Sequence, residues 1–432
     1  MKMEKLFDLF YQCNGVSTDS RKIEENSLFI ALSGKNFNGN EFALESIQKG
    51  ARFAIVDDKL KADNKNIFYV ENTLVFLQRL ANYHRNQFKI PVLAITGSNG
   101  KTTSKELINT VLSKKYSTLA TVGNLNNHIG VPLTLLRLNK SHQIAIIEMG
   151  ANKPGDINEL CTIANPNFGL ITNIGKAHLE GFGSFDGVLK TKKELYDYIE
   201  KEEGTLFFNS DDTLLKKHLP RQINSVSYGT VEEELLINGK YLESKDYVQL
   251  KWTHKHYESP LIQTKIVGKY NFYNLLAAIC VGYYFNVLET DINEAINSYE
   301  STNNRSQIIK KDNYIILLDA YNANPSSMKS ALESFSQMPE KEKTVILGDM
   351  FELGDFSALE HEMIVDWCNR AQMQTHFVGE EFYKVKISHP NLHFWKSKEN
   401  LIQHLKENKI NATSILLKAS RGIGLEEILD YL

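Results

Sequence analysis

A glycine-rich loop set between a strand pattern and a helix pattern is the feature that most limits how this chain can fold. Residues 92–95 are apolar, residues 97–103 read GSNGKTT, and apolar positions then recur at helical spacing through residue 112. Successive backbone N–H groups in such a loop, together with the positive end of the helix dipole, form a cradle for phosphate. Lys101 would add a mobile positive charge, and the hydroxyl of Thr102 is placed to bind Mg²⁺.

This loop is shorter than the usual phosphate-binding pattern G-x-x-x-x-G-K-[ST], which requires glycine at position 95, where this chain has isoleucine. Taken alone, a glycine turn with an exposed lysine is the simpler interpretation. Because the strand and the helix are both present, the sequence favours nucleotide binding. The predicted phosphate contacts are Gly97, Asn99, Gly100, Lys101, Thr102 and Thr103.

The composition is that of a globular protein without a nucleic-acid or membrane signature. The chain has 432 residues, of which 23% are charged and 42% hydrophobic, and its formal net charge is −3. A nucleic-acid-binding surface would show a basic excess, and a membrane span needs roughly 20 apolar residues in a row. The four cysteines are far apart and form no C-x-x-C pair, so neither a disulfide framework nor a zinc site is indicated. We expect a cytoplasmic monomer with no nucleic-acid partner and no membrane insertion.

Strand-like and helix-like patterns alternate along the chain, which predicts an α/β fold with three domains. We place a small N-terminal α/β domain at 1–86, a central P-loop domain with a mostly parallel sheet and helices on both faces at 87–300, and a C-terminal Rossmann-like α/β domain at 301–432. Asn40 is predicted to cap one helix and Pro325 to begin another, and a polar insertion at 225–267 is predicted to be antiparallel. The predicted strands are 27–32, 53–56, 92–95, 144–148, 168–172, 314–318, 344–347 and 414–417.

Polar side chains follow two further apolar strands of the central domain. Glu148 ends one strand, in the sequence EMGAN, and His178 follows another, in TNIGKAHLEGFG. Ligands of open α/β sheets bind outside the carboxyl ends of the strands, so the strand ends of this domain converge on one site. Glu148 alone could be a solvated strand end, and a lone histidine is more often structural, but these positions favour contact with metal and phosphates. A third segment, KTKKELY, contains Lys190, Lys192 and Lys193 and has the ordinary interpretation of a basic helix face.

Several segments, in this order, resemble the Mur ligase family, whose members build the peptide of bacterial peptidoglycan. The similar segments are STDSRKIEENSLFIALSGKNFNGNEFA (17–43), TGSNGKTTSKE (96–106), TVGNLNNHIGVPLTLL (121–136), EMGAN (148–152), TNIGKAHLEGFGS (172–184) and GKYNFYNLLAA (268–278). Three more segments resemble in particular the member that joins D-alanyl-D-alanine to UDP-N-acetylmuramoyl-tripeptide. They are NRSQ (304–307), DAYNANPSSM (319–328) and LGDMFELG (347–354). The D-N-P-R motif usual in the ligase that adds the third amino acid is absent from the sequence.

The resemblance implies an ATP-dependent ligase that forms an amide through an acyl phosphate, with ATP and two Mg²⁺ ions as cofactors. It assigns the N-terminal domain to the UDP end of one substrate and the central domain to ATP and catalysis. The C-terminal domain would bind the incoming dipeptide and form part of the ATP site. The resemblance implies metal binding by Thr102, Glu148, His178 and a carbamylated Lys192. It implies ATP contacts by Asn271, Asn274, Arg305 and Asp319. The residues that it implies for catalysis are Lys101, His178, Lys192 and Arg305. Substrate contacts are implied for Asn126, Asn127, Asn322, Asn324 and Ser326, and for Ser20, Arg21 and Lys35 toward the UDP.

The chain departs from the family pattern at a few positions. Tyr270 stands where the family often has histidine, and Lys193 replaces a residue that is often glycine, so Lys190, Lys192 and Lys193 compete as the site of carbamylation. Ala419, in the sequence KASRG, also occupies a position where glycine is usual.

Other functions stay open at this point. The chain could be a ligase of the same mechanism that takes another amine, such as the one adding the third residue or a folate polyglutamylating enzyme. It could be a P-loop ATPase or kinase without ligation, although that leaves the segments at 319–328 and 347–354 without a role. It could also be a silent binding protein. The third residue of the acceptor peptide, lysine or diaminopimelate, is not determined by the sequence.

Overall fold

The computed structural model of the chain describes residues 3–62, 64–231, 234–242, 247–301, 304–311, 314–339 and 342–432. Its backbone contacts group into two compact units. The first unit comprises Met1–Ala94, Tyr116–Gly150 and Asp156–Phe168, and the second comprises Ile95–Lys115, Ala151–Gly155 and Gly169–Leu432. The three domains, with boundaries after residues 86 and 300, remain a sequence-based prediction.

The first part of the chain alternates short strands with helices. Its elements are α1 (Met3–Phe10), β1 (Val16–Ser17), β2 (Leu28–Ile30), β3 (Ser33–Gly34), β4 (Phe37–Asn38), α2 (Ala43–Gln48), β5 (Phe53–Val56), β6 (Ile67–Tyr69) and α3 (Thr73–Arg85). The middle part follows with β7 (Val92–Thr96), α4 (Lys101–Leu112), β8 (Thr118–Ala120), α5 (Gly130–Leu135), β9 (Ile144–Glu148), α6 (Asp156–Ala164), β10 (Phe168–Ile171), α7 (Leu179–Phe182), α8 (Phe185–Lys201), β11 (Thr205–Asn209), α9 (Thr213–Lys217), β12 (Asn224–Gly229), β13 (Ile237–Leu242), β14 (Gln249–His254), β15 (Tyr257–Glu258), β16 (Ile262–Gln263), α10 (Phe272–Tyr284) and α11 (Glu289–Ser298).

The last part of the chain contains β17 (Gln307–Lys311), β18 (Tyr314–Asp319), α12 (Pro325–Ser336), β19 (Lys343–Gly348), α13 (Ser357–Arg370), β20 (Gln374–Val378), α14 (Glu380–Lys384), β21 (Leu392–Trp395), α15 (Lys398–Glu407) and β22 (Ser414–Lys418). Strands of five buried residues, such as β7, β9 and β22, read as continuous apolar runs because both faces of a parallel sheet are covered. The α/β fold class predicted from the sequence is confirmed.

The first unit is built around a parallel sheet with the strand order β1-β2-β5-β6. Phe29 and Ala54 lie in adjacent strands of this sheet and contribute to a core cluster that also contains Ala31, Ala43, Val56 and Ile67. Helix α3 buries Phe76, Leu77 and Leu80 at helical spacing, which explains why its sequence forms an amphipathic helix. A second parallel pair in this unit joins β8 to β9.

The second unit contains a sheet region in which β11, β12 and β13 pair in parallel and β13 to β16 pair antiparallel. The antiparallel insertion predicted at 225–267 is therefore present from β13 onward, whereas β12 pairs in parallel. Helix α10 buries nearly every residue, as its continuous apolar sequence predicts.

A sheet of six strands, in the order β17-β18-β22-β19-β20-β21, completes the second unit. Among these strands, as far as the structure describes them, only β17 is antiparallel to its neighbour. Ile316, Leu417 and Ile346 lie on neighbouring strands and form one core cluster. Because β18, β19 and β22 run in parallel, the loops that follow Asp319, Gly348 and Lys418 meet at the carboxyl edge of this sheet.

One predicted helix cap is wrong. Asn40 does not begin α2; it lies inside a 3₁₀ turn, Gly39–Phe42, whose cap is Asn38. The Asn40 side chain is buried instead, where its amide donates to the Asp57 carboxylate over 2.7 Å and its carbonyl accepts from the backbone N–H of Asp57. The predicted start of α12 at Pro325 is correct, with Asn324 as its cap.

Cys161, Cys280 and Cys368 are buried, as expected of small core residues. Within the described ranges, no helix combines the length and the apolar character that a membrane crossing requires.

Candidate active site

The glycine loop between β7 and α4 has a backbone that only glycine adopts easily. Gly97 has φ +141° and Gly100, the residue that caps α4, has φ +78°. A Cβ atom on Gly97 would lie 2.0 Å from Oγ1 of Thr172, and a Cβ on Gly100 would lie 2.6 Å from Oδ1 of Asn274. Both the positive φ angles and the close neighbours therefore exclude a side chain at these positions.

The residues predicted to contact phosphate come together at the start of α4. The Lys101 ammonium donates to the carbonyls of Gly97, over 2.7 Å, and Ser98, over 3.1 Å, so it lies across the mouth of the loop. Thr102 is buried in the first turn of the helix, and Thr103 is partly exposed there. The arrangement is a helix N-terminus with a mobile cation beside it, which suits a polyphosphate.

The loop is held in place by the segment that follows β10, which sequence reasoning had treated only as a metal-binding strand end. Thr172 donates from its hydroxyl to the carbonyl of Asn99 over 2.6 Å. Asn173 accepts from the backbone N–H of Asn99 and donates back to its carbonyl. Ser98 and Gly175 exchange hydrogen bonds of 3.0 and 2.9 Å. The loop backbone is thus preorganised rather than free to collapse.

Asn271 and Asn274, predicted near adenine, are buried next to the loop helix. Asn274 accepts from the Ser104 hydroxyl of α4 over 3.0 Å and donates to Oδ1 of Asn271 over 2.9 Å. Asn271 donates in turn to the carbonyl of Val267 over 2.8 Å. These bonds give both side chains a supporting role beneath the loop, and their contact with adenine stays a prediction.

His178 and Lys192 are brought to the same aromatic ring. Phe182, on α7, packs edge to face against the imidazole of His178, with ring centroids 6.2 Å apart. The Lys192 ammonium lies 5.6 Å from the centroid of the same ring, and Lys192 is only 1% exposed on α8. The other two candidates for carbamylation differ from it: Lys190 is exposed, and Lys193 forms an ion pair with Asp197 near the surface. Burial therefore favours Lys192 among the three.

Glu352 is a site residue that sequence reasoning did not single out, although it lies within the segment LGDMFELG. Its carboxylate contacts Nδ1 of His178, and this contact holds the pKa of Glu352 below its usual value. The backbone N–H of Glu180 also donates to the carbonyl of Glu352, over 3.1 Å. No sequence signal identified this pair, since its members are more than 170 positions apart in the chain.

Asp319, predicted near the ribose, ends β18 in a chain of polar contacts. Its Oδ2 accepts from the ammonium of the buried Lys418 over 2.6 Å, and its Oδ1 accepts from the backbone N–H of Ser306 over 3.2 Å. The hydroxyl of Ser306 shares a hydrogen bond of 2.6 Å with the phenol of Tyr270. The tyrosine found in place of the usual histidine is therefore linked to Asp319 through Ser306.

Arg305 is held by an aromatic face. Its guanidinium carbon lies 3.8 Å from the ring centroid of Tyr321, and the guanidinium of Arg421 approaches the same ring at 5.8 Å. The Nε of Arg305 is buried and forms no hydrogen bond with any residue that the structure describes. Asn304 and Ser306, on either side, both have positive φ angles near +50°. This cation–π contact restrains the guanidinium, whose terminal nitrogens are suited to bind an anion.

Two of the three predicted substrate contacts after β18 lie beside the loop. Asn324 caps α12 and donates to Oδ1 of Asn99 over 2.8 Å. Ser326 accepts from the backbone N–H of Lys176 over 2.9 Å. The carbonyl of Asn322 accepts from Lys418 over 3.3 Å. These contacts join the DAYNANP segment to the residues around the nucleotide loop, and substrate binding by the three stays a prediction.

In the first unit, Glu148 and Asn126 form a pair. Nδ2 of Asn126 donates to Oε1 of Glu148 over 2.8 Å, and Glu148 is only 1% exposed. Asn127 has a different function, because its Oδ1 accepts from the N–H groups of Ile129 and Gly130 at the start of α5. Asn126 thus orients the predicted metal ligand, a role that the sequence did not indicate.

Of the residues predicted to face the UDP, Arg21 and Lys35 are exposed and Ser20 is half-buried. Arg21 makes two hydrogen bonds of 2.9 Å with Asp19, which lowers the pKa of that carboxyl to about 2. Ser20 accepts at its carbonyl from Lys49, and Lys35 lies at the exposed hairpin of β3 and β4. Over the described ranges, no hydrogen bond or ion pair joins Lys35 to Ser20 or Arg21.

The donor chemistry of the predicted ligands fits Mg²⁺. Glu148 supplies a buried carboxylate oriented by Asn126, and Thr102 supplies a buried hydroxyl; both are hard oxygen donors of the kind that Mg²⁺ prefers. Among the residues that the structure describes, no group of three or more His, Cys, Asp or Glu side chains is arranged to hold a metal. A magnesium ion that keeps phosphate oxygens and water molecules as most of its ligands does not require such a group.

Comparison with known proteins identifies the family. Residues 95–282 match the Mur ligase middle domain, residues 304–421 match the Mur ligase glutamate ligase domain, and residues 12–85 match the Mur ligase family catalytic domain. A relative from Bacillus subtilis, called UDP-N-acetylmuramoyl-tripeptide--D-alanyl-D-alanine ligase, is 34% identical over 97% of this chain and 93% of its own length.

Solved structures agree with the sequence matches. A crystal structure of MurF from Acinetobacter baumannii has a TM-score of 0.88 at 28% identity and covers 99% of this chain and 97% of that one. The MurF ligase from Thermotoga maritima, solved in complex with ADP, has a TM-score of 0.86 at 28% identity and covers 98% and 97% of the two chains. With the nucleotide loop, the buried acidic and basic side chains and these matches in place, the chain belongs to the Mur ligase family.

Proposed function

We propose that this chain joins D-alanyl-D-alanine to UDP-N-acetylmuramoyl-tripeptide, with conversion of ATP to ADP and phosphate, in the synthesis of peptidoglycan precursors. The single observation that carries this function is the meeting of the nucleotide loop with the DAYNANP segment, through the 2.8 Å hydrogen bond from Asn324 to Asn99. The near full-length similarity to the relative from Bacillus subtilis, named for this reaction, supports the choice of substrates.

The first chemical step is attack of the tripeptide's terminal carboxylate on the γ-phosphate of ATP, which gives an acyl phosphate and ADP. A carboxylate and a triphosphate repel each other, so the reaction needs positive charge that is already in place. Lys101 supplies one charge at the loop, and Arg305, in cation–π contact with Tyr321, supplies a second at the terminal phosphate. Both groups act by electrostatic stabilisation and positioning.

In the second step the amine of D-alanyl-D-alanine attacks the acyl carbon, and phosphate leaves. The attacking nitrogen must lose a proton, and His178 is the candidate acceptor only when its ring is not fully engaged by metal. Exclusion of water matters here, because water would hydrolyse the acyl phosphate.

We assign the dipeptide to a cavity of about 630 Å³ that opens beside Glu352. It lies at the carboxyl ends of β19 to β22 and is lined by charges of both signs, including Glu381, Lys396 and Lys398. A zwitterionic dipeptide presents an ammonium and a carboxylate, so a wall with both signs of charge complements it.

Two Mg²⁺ ions bound by Thr102, Glu148, His178 and Lys192 form part of this proposal. When bound, the ions would neutralise phosphate charge. Lys192 would contribute as a carbamate, an oxygen donor formed when its ammonium loses a proton and the neutral amine adds CO₂ with release of a second proton. Lys192 is only 1% exposed, and burial disfavours an ammonium without compensating partners. Asn126 keeps Glu148 oriented for this role.

The remaining assignments follow the predicted domains. We place the UDP end of the substrate at residues 1–86, with Ser20, Arg21 and Lys35 as contacts. We place ATP mainly in the central domain at 87–300, with Asn271 and Asn274 near adenine. We place the dipeptide at 301–432, together with the part of the ATP site in which Asp319 lies near the ribose. Asn127, Asn322, Asn324 and Ser326 are assigned to the substrates. A cytoplasmic monomer fits a pathway that uses soluble nucleotide-linked precursors.

The deciding experiment measures phosphate release from ATP with UDP-N-acetylmuramoyl-tripeptide, with and without D-alanyl-D-alanine, followed by mass analysis of the nucleotide product. Both the lysine and the diaminopimelate forms of the tripeptide are supplied. We expect release that depends on the dipeptide and a product heavier by one D-alanyl-D-alanine unit.

Other outcomes identify the competing functions. Release without the dipeptide and without a mass gain would indicate an ATPase. Ligation of a single amino acid to UDP-N-acetylmuramoyl-dipeptide, or of glutamate to a folate, would replace the proposed amine with another. Absence of release in every combination would indicate a binding protein.

A further inference from the structure

Two turns from distant parts of the chain pack against each other beside the proposed site. One turn, residues 178–180, follows β10, and the other, residues 352–354, follows β19. The N–H of Glu180 donates to the carbonyl of Glu352 over 3.1 Å. A Cβ atom on Gly354 would lie 3.3 Å from Cβ of Glu180, so the two backbones are in close contact.

Both turns have a backbone conformation that side chains rarely adopt. His178 has φ +51° and Glu352 has φ +61°, although neither is glycine. Left-handed non-glycine residues persist where the surrounding structure over-determines them, and they concentrate at functional sites. Here the two residues face each other, and their side chains meet.

The contact between the side chains involves one specific nitrogen. A carboxylate oxygen of Glu352 pairs with Nδ1 of His178, and the edge-to-face contact with Phe182 restrains the ring from another side. The His178 side chain is 23% exposed and that of Glu352 is 52% exposed. When the Nδ1–H of a histidine is bound by a carboxylate, the tautomer and the ring plane are fixed, and Nε2 presents its lone pair outward.

The turn that carries Glu352 is itself anchored. Asp349 accepts at its carboxylate from the N–H groups of Glu381 and Phe382, each over 2.9 Å. The N–H of Met350 donates to Nε2 of the buried His361 over 3.1 Å, and the N–H of Phe351 donates to the hydroxyl of Ser420 over 2.9 Å. The three residues that precede Glu352 are therefore fixed to α14, to α13 and to the segment after β22. The position of Glu352 is thus determined by the fold of the last sheet.

We propose that Glu352 is a positioning residue that holds His178 by Nδ1 and directs Nε2 toward the reacting groups of the ligation. The inference rests on the proposed function, because it gives Nε2 a task in that reaction. Glu352 belongs to the segment that follows β19 and His178 to the segment that follows β10, so the imidazole is oriented only when these two segments are docked. Glu352 acts through His178 and need not contact a substrate.

The test compares Glu352→Ala and Glu352→Gln with Glu362→Gln, a matched control that removes the same charge from an exposed position of α13. We expect Glu352→Ala to lower kcat for ligation by about 10- to 100-fold, the range found when a group that orients a functional histidine is removed. The KM for ATP should change less than about twofold, since Glu352 does not contact the loop. Glu352→Gln keeps an oxygen acceptor and should lose less activity than Glu352→Ala. Glu362→Gln should behave as the wild type.

A second readout does not depend on activity. The imidazole ¹⁵N spectrum of the full chain, recorded without substrates, is assigned for His178 with His178→Gln. The wild type should show a protonated, slowly exchanging Nδ1, and Glu352→Ala should show a shifted Nδ1 resonance with fast exchange. An unchanged His178 signal in Glu352→Ala, or an unchanged kcat in a variant whose signal does shift, would overturn the inference.

Folding is checked by the thermal unfolding midpoint of each variant. If Glu352→Ala does not fold, Glu352→Gln decides the question by the same two readouts. A wild-type chain without ligase activity would overturn the proposed function. The ¹⁵N spectrum would still decide whether Glu352 fixes the ring of His178. Failure of the proposed function and failure of this inference are therefore distinguishable.

Discussion

At Gly97 a single added methyl group would disturb the nucleotide loop. Its φ is +141°, and a Cβ atom there would lie 2.0 Å from Oγ1 of Thr172, so there is no room for a side chain. The sequence predicted the glycine loop but not its neighbour, because Thr172 is more than 70 positions away. The same is true of Lys101, whose phosphate role was predicted, while its contacts with the carbonyls of Gly97 and Ser98 were not.

The substitution Gly97→Ala should therefore destabilise the fold by about 1–3 kcal/mol, the cost of a strained backbone residue that the surroundings cannot relax. It should also abolish detectable ATP binding, because Thr172 would be pushed away from the carbonyl of Asn99. Chemical denaturation and calorimetric titration with ATP measure the two effects. Gly15→Ala is the control, since no atom lies within 4 Å of its Cβ position. A Gly97→Ala protein that binds ATP normally would contradict the preorganised loop.

Tyr270 allows a second prediction at this scale. Burial and the charge of Asp319 raise the pKa of its phenol, so the hydroxyl stays neutral and keeps its hydrogen bond with Ser306. Tyr270→Phe should lower the free energy of unfolding by about 1 kcal/mol, the usual worth of one hydrogen bond. It should also raise the KM for ATP several-fold, since Ser306 positions Asp319. Steady-state kinetics with varied ATP check this, with Tyr431→Phe at the exposed C-terminal end as the control. Equal KM values for the two variants would show that Tyr270 does not influence Asp319.

At the scale of elements, the site depends on loops that follow parallel strands. Ser420, after β22, donates from its N–H to the carbonyl of Asp349, after β19, over 3.1 Å, and from its hydroxyl to the carbonyl of Ala323, after β18, over 3.3 Å. One serine thus ties three strand ends together. The apolar runs predicted β18, β19 and β22 almost residue for residue, because these strands are buried on both faces.

Strands β20 and β21 were not predicted, and the reason is physical. Their sequences, QTHFV and LHFW, contain histidines that interrupt the apolar pattern. His376 is nevertheless buried, because Nδ1 accepts a hydrogen bond of 3.2 Å from Trp395 on the neighbouring strand. The acceptability of a buried polar residue depends on a partner that only strand pairing supplies.

His376 leads to a prediction about acid stability. Burial, together with His393 on β21 and His404 on α15, lowers the pKa of His376 to about 3. The unfolded chain binds this proton near pH 6.5, so between these values the unfolded state binds more protons than the native state and stability falls as the pH falls. The free energy of unfolding should decrease by about 1.4 kcal/mol for each pH unit below 6 from this residue alone.

Urea denaturation of the wild type and of His376→Gln between pH 4.5 and pH 7.5 measures the effect. His376→Gln should be less stable than the wild type at neutral pH, because it alters the hydrogen bond with Trp395. Its free energy of unfolding should depend less steeply on pH. Glu342, Lys343 and Lys409 line the cavity next to the three histidines, so the comparison is made at one ionic strength. Parallel stability curves for the two proteins would contradict the assignment.

At the scale of the whole molecule, residues from opposite ends of the second unit's sequence meet at one place. Asn99 and Asn324 are 225 positions apart, and Lys176 and Glu360, which form an ion pair of 2.6 Å, are 184 apart. The family resemblance had placed these segments in one site without showing which atoms meet. The structure shows that several residues predicted to bind substrate also join segments of the chain.

The bond between Asn99 and Asn324 can be tested separately from the helix cap that Asn324 forms. Asn324→Ser keeps a good cap but is too short to reach Asn99, whereas Asn324→Ala loses both functions. Asn324→Ser should cost about 1 kcal/mol of stability, and Asn324→Ala about 1 kcal/mol more. In an Asn99→Ala background, Asn324→Ser should have no further effect. Chemical denaturation of the wild type, Asn99→Ala, Asn324→Ser and the double variant gives the coupling energy between the two side chains. An equal cost of Asn324→Ser in both backgrounds would contradict the contact.

The sequence by itself determined the features that local physics controls. A glycine loop between a strand and a helix creates a phosphate cradle wherever it occurs, and continuous apolar runs become buried strands. Only the tertiary structure decided which side chains complete the site: Glu352 beside His178, Lys418 beside Asp319 and Asn126 beside Glu148. These partners are separated by 174, 99 and 22 positions, respectively. A contact at such separations is set by the pairing order of the strands and by packing, which no local pattern encodes.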